Sequence, residues 1–319
     1  KFYGRAKETK VIDFLGKKKI FFILSAVVII AGFVTMGVHK GNGGDALNYS
    51  LEFKGGTSTS VEFNEDMSIE ELDEKVVPII EEISKDANVQ TQKVQGSNQV
   101  IFKSATLDVS QREELNSRLE EEFGVDPEKI TAETISSTIS SEMRTGAVSA
   151  VVVSTVLMLL YVWFRFKDVR FGASSVAALV HDVLVVLAFY AAARVSVGNT
   201  FIACMLTIVG YSINATIVIF DRIRENMTSY KTKEELAAIV NRSISQTLSR
   251  SIFTSLTTFI MVAVLYILGV SSIKEFALPL MVGIACGTYS SICLASAFWY
   301  LLRTRVGGKK AEKDKKAAK

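Results

Sequence analysis

The stretch that decides the fold is FGASSVAALVHDVLVVLAFYAAA at residues 171–193, an apolar run with a single carboxylate near its middle. A helix of about 20 mostly apolar residues crosses the roughly 30 Å hydrocarbon core of a bilayer. Five further runs of this chain meet the same criterion. The sequence therefore predicts an α-helical membrane protein with six transmembrane helices, at residues 20–38, 145–164, 171–193, 201–220, 251–270 and 276–302.

Basic residues are concentrated in alternate loops between these runs. Seven lie in residues 1–19, three in 165–170, six in 221–250 and eight in 303–319, whereas the other short loops carry only Arg194 and Lys274. Cytoplasmic loops of membrane proteins are enriched in Lys and Arg. We therefore expect a cytoplasmic N-terminal segment (1–19), a cytoplasmic loop (221–250) and a basic cytoplasmic tail (303–319). Lys17, Lys18 and Lys19 precede the first run, which is long enough to favour a retained anchor over a cleaved signal.

The region between the first two runs has the opposite charge. Residues 41–143 hold 22 of the 33 acidic residues but only 8 of the 36 basic residues. Residues 39–144 are therefore predicted to form one external domain between helices 1 and 2. Its acidic side chains fall mainly on the solvent faces of two helices, and they indicate either ordinary solvation or an acidic surface that handles a polypeptide.

Local patterns in this external region predict strands and helices in turn. Residues 47–63 alternate like a strand that Gly55 and Gly56 interrupt, and Gly96-Ser97-Asn98 indicates a hairpin. Ser68 and Ser110 each begin a capping-box pattern that predicts a helix, the second of which ends at Gly124. The resulting order is typical of a small α+β domain of the ferredoxin-like kind.

Asp182 is the strongest candidate for chemistry within the spans, because ionisable side chains inside a bilayer are rare and usually functional. A carboxyl group in a low-dielectric medium favours its neutral form, which suits a reversible proton carrier. The structural alternative is a neutral Asp that forms a hydrogen bond between helices. His181 is one residue away, about 100° around the helix, and is expected to bond to another helix rather than to Asp182.

Arg250 stands where a basic segment meets the apolar run Ile252–Leu268. It either extends to the membrane interface or pairs with an acidic group. Six hydroxyl residues surround it on the sequence, and such residues join helices or line a hydrated path. In the last run, Gly283 and Gly287 form a G-x-x-x-G pattern that indicates close helix packing.

Several other functions are disfavoured by the residues that are present. The three cysteines lie in apolar runs, which suits packing rather than disulfides or metal ligation. There are two histidines and no recognised zinc-protease, serine-hydrolase or phosphate-loop motif, so we expect neither an enzyme nor a metal site nor a cofactor. The basic runs flank the spans, which favours contact with anionic lipid over nucleic acid.

Five segments resemble those of a known family. They are GYSINATIVIFDRIREN at residues 210–226, NRSISQTLSRSIFTSLTT at 241–258, GTYSS at 287–291, His181-Asp182, and FKGGT at 53–57. These segments are similar to span and external motifs of SecF, a subunit of the bacterial SecD–SecF complex. The resemblance extends from about residue 11 to residue 305.

The resemblance implies a multi-pass protein of the bacterial cytoplasmic membrane with both termini cytoplasmic and residues 39–144 outside. With SecD, fused upstream or separate, such a subunit would use the proton motive force to assist preprotein export through SecYEG. YajC and the insertase YidC are further implied partners. The implied cytoplasmic signature is Asp221, Arg222, Arg224, Glu225 and Asn226. The implied external motif is Glu52, Phe53, Gly55, Gly56 and Thr57, with Glu52 where the family has Asp.

One departure from the family concerns the proton relay. The family's fourth-span motif reads Asn-Asp-Thr, and here it is Asn214, Ala215 and Thr216. The family's Asp would form a relay with the Arg that matches Arg250, and Ala215 cannot titrate. Either the relay is blocked, or a SecD carboxylate replaces it, or Asp182 is the main carrier.

Three functions therefore remain open. The first is a proton-driven export subunit, and the second is a proton-inactive scaffold that docks SecD and SecYEG. The third is half of a small-molecule efflux pump, because such pumps have about twelve spans and two external domains.

Overall fold

The computed structural model describes residues 11–86, 89–94, 96–166, 168–227 and 232–304. Its elements in chain order are α1 (Lys18–Gly41), β1 (Asn48–Tyr49), α2 (Leu51–Lys54), β2 (Gly56–Glu62), α3 (Ile69–Lys75), α4 (Val77–Ser84), β3 (Gln90–Lys93), β4 (Gln99–Ser104), α5 (Val109–Phe123), β5 (Ile130–Ile135), α6 (Ser137–Phe166), α7 (Val169–Ala193), β6 (Ser196–Val197), α8 (Asn199–Asn226), α9 (Lys233–Leu268) and α10 (Ser271–Tyr289). A π-helical segment, Ser290–Ala295, follows α10 directly.

Six helices among the described residues are long and apolar enough to cross a membrane. They are α1, α6, α7, α8, α9 and a last span, Ile273–Thr304, that comprises most of α10 and its continuation. The structure thus contains the six long apolar helices that the sequence predicts. The helices are longer than the apolar runs, since α9 begins at Lys233 whereas the predicted span begins at residue 251.

The segment predicted as a cytoplasmic loop at residues 221–250 is mostly helical. α8 continues to Asn226, and α9 begins at Lys233. Charge alone placed this segment outside the apolar runs, but charge does not exclude helix, and Thr232 caps α9 through its hydroxyl oxygen. Residues 1–10 and 305–319 of the two predicted terminal segments lie outside the described residues.

The described residues divide into two compact units. The helical unit comprises the chain up to His39, Val151–Val195 and the chain from Thr200. Its core includes a cluster of four aromatic rings at the ends of four spans. The ring centroid of Phe171 lies 4.9 Å from those of Phe220 and Trp299. Phe166 lies 5.2 Å from Phe171. These aromatic contacts join the end of α6, the start of α7, α8 and the last span.

The segment before α1 is held against α9 by polar contacts. Asn241 accepts hydrogen bonds from the backbone amides of Phe14 and Leu15, each at 3.1 Å, and donates to Asp13 at 2.8 Å. The backbone amide of Gly16 and the Asn241 side chain both stabilise the charged carboxylate, so the pKa of Asp13 lies below its usual value. Asn241 therefore serves as the attachment point for this segment.

The second unit, here called the inserted domain, comprises Lys40–Ala150 and Ser196–Asn199. Its four-stranded antiparallel sheet has the order β3-β4-β2-β5, and β1 pairs separately with β6. One helical pair, α3 and α4, follows β2, and α5 follows β4. The hairpin predicted around Gly96 is present as β3 and β4.

Two local predictions in the inserted domain were wrong. Residues 51–54 form the short helix α2 rather than a strand, because the chain must turn there to reach Gly55, whose φ is +75°. The cap of α5 is Asp108 with Gln111, not Ser110, since the Asp108 carboxylate accepts from the Gln111 amide at 2.8 Å. The capping box at Ser68 is present, and the helix it begins is divided at Val76, just before Pro78.

Candidate functional site

Asp182 lies inside the helical unit with none of its surface exposed. Two hydroxyl groups donate hydrogen bonds to its Oδ2 atom, from Ser212 of α8 at 2.5 Å and from Ser290 of the last span at 2.7 Å. Its Oδ1 atom accepts from the Cys286 thiol at 3.3 Å and lies 2.9 Å from Nδ1 of His181. Polar groups from three helices thus surround one carboxyl group, so its burial is compensated by hydrogen bonds.

Two glycines let α8 and α10 approach closely enough for these bonds. A Cβ atom at Gly283 would lie 2.2 Å from Cδ1 of Ile208, and one at Gly287 would lie 3.1 Å from Cβ of Ser212. Small residues of this kind allow two helix backbones to pack directly. The close packing predicted from the G-x-x-x-G pattern is therefore confirmed.

The π-helical segment directs two adjacent hydroxyl groups to different helices, Ser290 to α7 and Ser291 to α8. Ser290 donates to Asp182, while Oγ of Ser291 donates to the backbone oxygen of Ser212 at 3.2 Å and lies 2.9 Å from Oγ1 of Thr216. Thr216 is itself buried. A π-turn widens the helix locally and is frequent at functional sites. A second layer of hydroxyl groups therefore adjoins the carboxyl group.

The expectation that His181 would not partner Asp182 was wrong. Neighbouring residues point about 100° apart on a helix, but the imidazole is long enough for Nδ1 to reach the adjacent carboxylate at 2.9 Å. Its Nε2 atom is buried and has no hydrogen-bond partner among the described residues. One ring nitrogen thus contacts the carboxyl group, and the other is available to a further group.

This arrangement can hold the carboxyl group in either protonation state. Ionised, it accepts hydrogen bonds from the two serine hydroxyls and the thiol, and each bond to a charged acceptor contributes about 1.5–3 kcal/mol. Protonated, it becomes a donor, and a serine hydroxyl can turn to accept because it carries both a proton and lone pairs. A change of proton therefore reverses bonds between α7, α8 and the last span.

The side chains of this cluster also include atoms that can bind a metal ion. The ligand atoms of His181, Asp182 and Cys286 lie within 4.8 Å of one another. The carboxylate oxygens already accept hydrogen bonds from hydroxyl and thiol groups. The absence of a metal site stays a prediction.

Two relay candidates, Asn214 of α8 and Arg250 of α9, lie apart from the Asp182 cluster and are exposed. Asn214, Ala215 and Arg250 line a cavity of about 70 Å³ together with Tyr211 and Ser251. Ser212 and Thr216, one turn apart, face the Asp182 cluster instead. Thr216 thus adjoins the Asp182 cluster through Ser291, whereas Asn214 and Arg250 line a separate cavity.

Comparison with known proteins identifies the family of this chain. The C-terminal model of the SecD/SecF protein export membrane proteins matches residues 115–305. A protein translocase subunit SecF from Sebaldella termitidis is 36% identical over 301 residues, which cover 94% of this chain and 94% of that protein. The chain belongs to the SecF family. Its role is therefore in protein export across a membrane.

Two longer relatives combine SecF with further sequence. The SecDF subunit of Bacillus subtilis is 34% identical over 298 residues, which cover 92% of this chain but only 38% of that protein. The crystal structure of SecDF from Thermus thermophilus, a translocon-associated membrane protein, has 34% identity and a TM-score of 0.77. That match covers 95% of this chain and 40% of the SecDF chain. The chain thus corresponds to the SecF portion of a SecDF protein.

The cytoplasmic signature resembling that of the SecF family joins helix ends to one another. Three of its members contact α6 or α9: Asp221 accepts from Arg165 at 2.6 Å, Arg222 donates to Gln246 at 2.7 Å, and Asn226 donates to Ser243 at 2.9 Å. Within α8, Arg222 donates to Glu225 at 2.7 Å, and Arg224 lies 3.5 Å from Asp221. These contacts bridge the ends of α6 and α8 and the first half of α9. The signature therefore serves the packing of the helical unit.

The motif that resembles the external motif of SecF proteins includes a charged hydrogen bond within the inserted domain. Glu52 accepts a hydrogen bond from the backbone amide of Asn199 at 2.8 Å. A carboxylate at a helix N-terminus is favoured by the helix dipole and satisfies an unpaired amide. Glu52 therefore makes a charge-assisted contact with Asn199, the first residue of α8.

The remaining motif residues form the start of the sheet. Phe53 is buried, and Thr57 accepts a hydrogen bond from the Leu107 amide at 2.8 Å. Gly56 has a φ of +122°, and a Cβ atom there would lie 2.3 Å from the backbone oxygen of Ser104. Gly55 and Gly56 are therefore required by the backbone, and the motif is mainly structural.

Sequence reasoning missed three residues that contact the carboxylate. Ser212, Ser290 and Cys286 were not identified as candidates, although Ser290 lies within the GTYSS motif. Ser212 and Ser290 could have been noted from the sequence, because each is a polar residue within an apolar run. Only the packing of the helices shows that both hydroxyls reach Asp182.

Proposed function

We propose that this chain works with SecD as a proton-driven subunit of preprotein export, and that Asp182 is the residue that gains and loses the proton. The observation that carries the proposal is a fully buried carboxyl group held by hydroxyl donors from two other helices. A group of this kind has neighbours that respond to its protonation. The name of the Bacillus SecDF relative supports SecD as the partner.

Protonation of Asp182 would act on α8 and the last span. The bonds from Ser212 and Ser290 to an ionised carboxylate are each about 1 kcal/mol stronger than bonds between neutral groups. Protonation would weaken both hydrogen bonds by this amount. The summed loss is similar in size to the few kcal/mol of free energy that separate the conformers of a switching protein.

The orientation of the chain belongs to the same proposal. The excess of Lys and Arg in residues 1–19, 165–170, 221–250 and 303–319 supports cytoplasmic termini and an external inserted domain. The strand order β3-β4-β2-β5, with helices after β2 and β4, supports a ferredoxin-like domain. SecYEG would be the channel that this domain assists, with YajC and YidC as further partners.

The competing function is a scaffold that docks SecD and SecYEG without exchanging protons. Ala215 favours it, because a methyl group faces the Arg250 cavity where the resemblance implies a carboxylate. The efflux-pump alternative has no observation in its favour beyond the six spans and single inserted domain. The choice between motor and scaffold rests on whether export responds to the proton gradient.

Replacing Ala215 by Asp is expected to change gradient-dependent export little, because Asp182 remains the carrier. The test measures preprotein translocation into vesicles that contain this chain, SecD and the translocon, with and without a proton gradient. A sharp rise in the gradient-dependent component would instead make position 215 the missing relay. No response to the gradient in either protein would leave the scaffold function.

A further inference from the structure

Asp182 can exchange a proton only through the side chains that surround it, because none of its own surface is exposed. The serines that donate to it, Ser212 and Ser290, are themselves buried, with 1% and 0% of their surface exposed. Two other neighbours of the carboxyl group, His181 and Cys286, also line a groove of the helical unit. These two side chains therefore connect the carboxyl group to the groove.

The groove lies between α1, α7 and the last span, and its polar side chains are neighbours of one another. Oη of Tyr289 donates to the backbone oxygen of Phe21 at 2.8 Å and lies 3.2 Å from Oγ of Ser25. The ring centroid of Tyr289 lies 6.0 Å from that of His181, and the Cys286 thiol lies 3.9 Å from Nδ1 of the same imidazole. The wall thus has one polar strip, where a water molecule would find hydrogen-bond partners.

The imidazole of His181 has one nitrogen at the carboxyl group and one without a partner. Nδ1 lies 2.9 Å from Oδ1 of Asp182, whereas Nε2 is buried and makes no hydrogen bond within the described part of the chain. Histidine readily binds and releases a proton near neutral pH, whereas a neutral thiol is only a weak donor. Of the two side chains that connect the carboxyl group to the groove, His181 is therefore the one suited to proton exchange.

We propose that His181 passes protons between the groove and Asp182, an inference that rests on the proposed function of Asp182. With the carboxylate ionised, the Nδ1–H group donates to Oδ1, and Nε2 carries a lone pair. A protonated water molecule in the groove gives its proton to Nε2, which forms an N–H bond. The Nδ1–H bond then breaks and an O–H bond forms on Asp182, so that the imidazole and the carboxyl group are both neutral. The reverse steps return the proton to the groove.

The titratable groups around the imidazole are few among the described residues. Asp182 lies on the same helix, and the last span contributes Cys286 and Tyr289. The groove-lining side chains of α1 and α9, which include Ser25 and Phe259, do not titrate. The pH dependence of proton transfer should therefore reflect the pair of His181 and Asp182.

The first test replaces His181 by Asn in vesicles that contain this chain, SecD and the translocon. Asn places an amide N–H group near the position of Nδ1 and can keep the contact with Asp182, but it has no second nitrogen to receive a proton. We expect the gradient-dependent component of preprotein translocation to fall by about tenfold or more, since positioned proton-transfer groups typically contribute factors of this size. Translocation without the gradient should be unchanged.

The second test is chemical rescue of His181→Ala. This variant should lose the gradient-dependent component as His181→Asn does, and added imidazole should restore it several-fold, because the free base can enter the space and carry the proton. The unchanged protein at the same imidazole concentration corrects for the effect of a weak base on the gradient. A side chain with only a packing role would not respond in this way.

His39→Asn is the matched control, because His39 lies at the end of α1 and does not line the groove. It should export normally, and so should Cys286→Ala, which removes the other side chain between the carboxyl group and the groove. Full gradient response in a folded His181→Asn protein would refute the proposal. A loss in His181→Ala that imidazole does not relieve would also refute it, and if this variant does not fold, His181→Asn decides.

Infrared spectroscopy after a pH jump separates this inference from the proposed function. In His181→Asn, the protonated carboxyl band of Asp182 should reach its usual final size but appear about tenfold more slowly. An equally fast band in that variant counts against His181 alone. A band that is missing from the unchanged protein counts against proton carriage by Asp182 itself.

Discussion

Replacing Asp182 by Asn is expected to reduce export to the level seen without a proton gradient. The side-chain amide of Asn has nearly the shape of the carboxyl group, but it does not bind or release a proton at physiological pH. It also places an NH2 group beside Ser212, Ser290 and Cys286, so the serine hydroxyls must turn from donating to accepting. We expect this rearrangement to lower the free energy of unfolding by at most about 1–3 kcal/mol. The measurement is preprotein translocation into vesicles with and without the gradient.

Two further variants separate proton carriage from stability. Ser212→Ala and Ser290→Ala each remove one donor but keep the carboxyl group, so they should weaken gradient-dependent export without abolishing it. Asp45→Asn changes an exposed carboxylate of the inserted domain and should leave export unchanged. Full gradient response in a folded Asp182→Asn protein would contradict proton carriage by Asp182.

Replacing Gly287 by Val is expected to separate α8 from α10 and so disrupt the Asp182 cluster. A Cβ atom at position 287 would lie 3.1 Å from Cβ and 3.4 Å from Cα of Ser212, and Val adds two methyl groups beyond it. Overpacking of this kind costs about 1–3 kcal/mol. We therefore expect a lower melting temperature together with a large loss of gradient-dependent export.

Gly210→Val is the matched control for the helix contact. Gly210 lies on α8, and a Cβ atom there would meet nothing within 4 Å. This variant should melt close to the unchanged protein and export normally. If both glycine variants lose the same stability, then general helix propensity rather than the contact with Ser212 explains the loss.

The membrane fold could be predicted from the sequence because its signal is local. Each span is a run of apolar residues whose length is set by the bilayer, and no partner helix is needed to recognise it. Helix ends were predicted less well, since α9 begins at Lys233 among polar residues and is stabilised by packing and by its Thr232 cap. In the inserted domain, both Asp108 and Ser110 match the sequence pattern of a helix cap. Only Asp108 has the backbone position from which its side chain caps α5.

The site could be predicted only at its centre. Asp182 is conspicuous in an apolar run, but Ser212 and Ser290 are 30 and 108 residues away, and their approach depends on helix packing. The separation of Arg250 from Asp182 likewise depends on which face of α8 each contacts. Hydroxyl groups in spans carry no sequence signal that distinguishes a contact with a carboxylate from ordinary packing.

Infrared difference spectroscopy between high and low pH would measure the titration of Asp182 directly. Recorded on the complex with SecD, it should show a protonated buried carboxyl band that appears on acidification, shifts with aspartate isotope labelling, and disappears in Asp182→Asn. The same band persisting in Asp182→Asn, or no such band in the unchanged protein at any pH, would contradict the account.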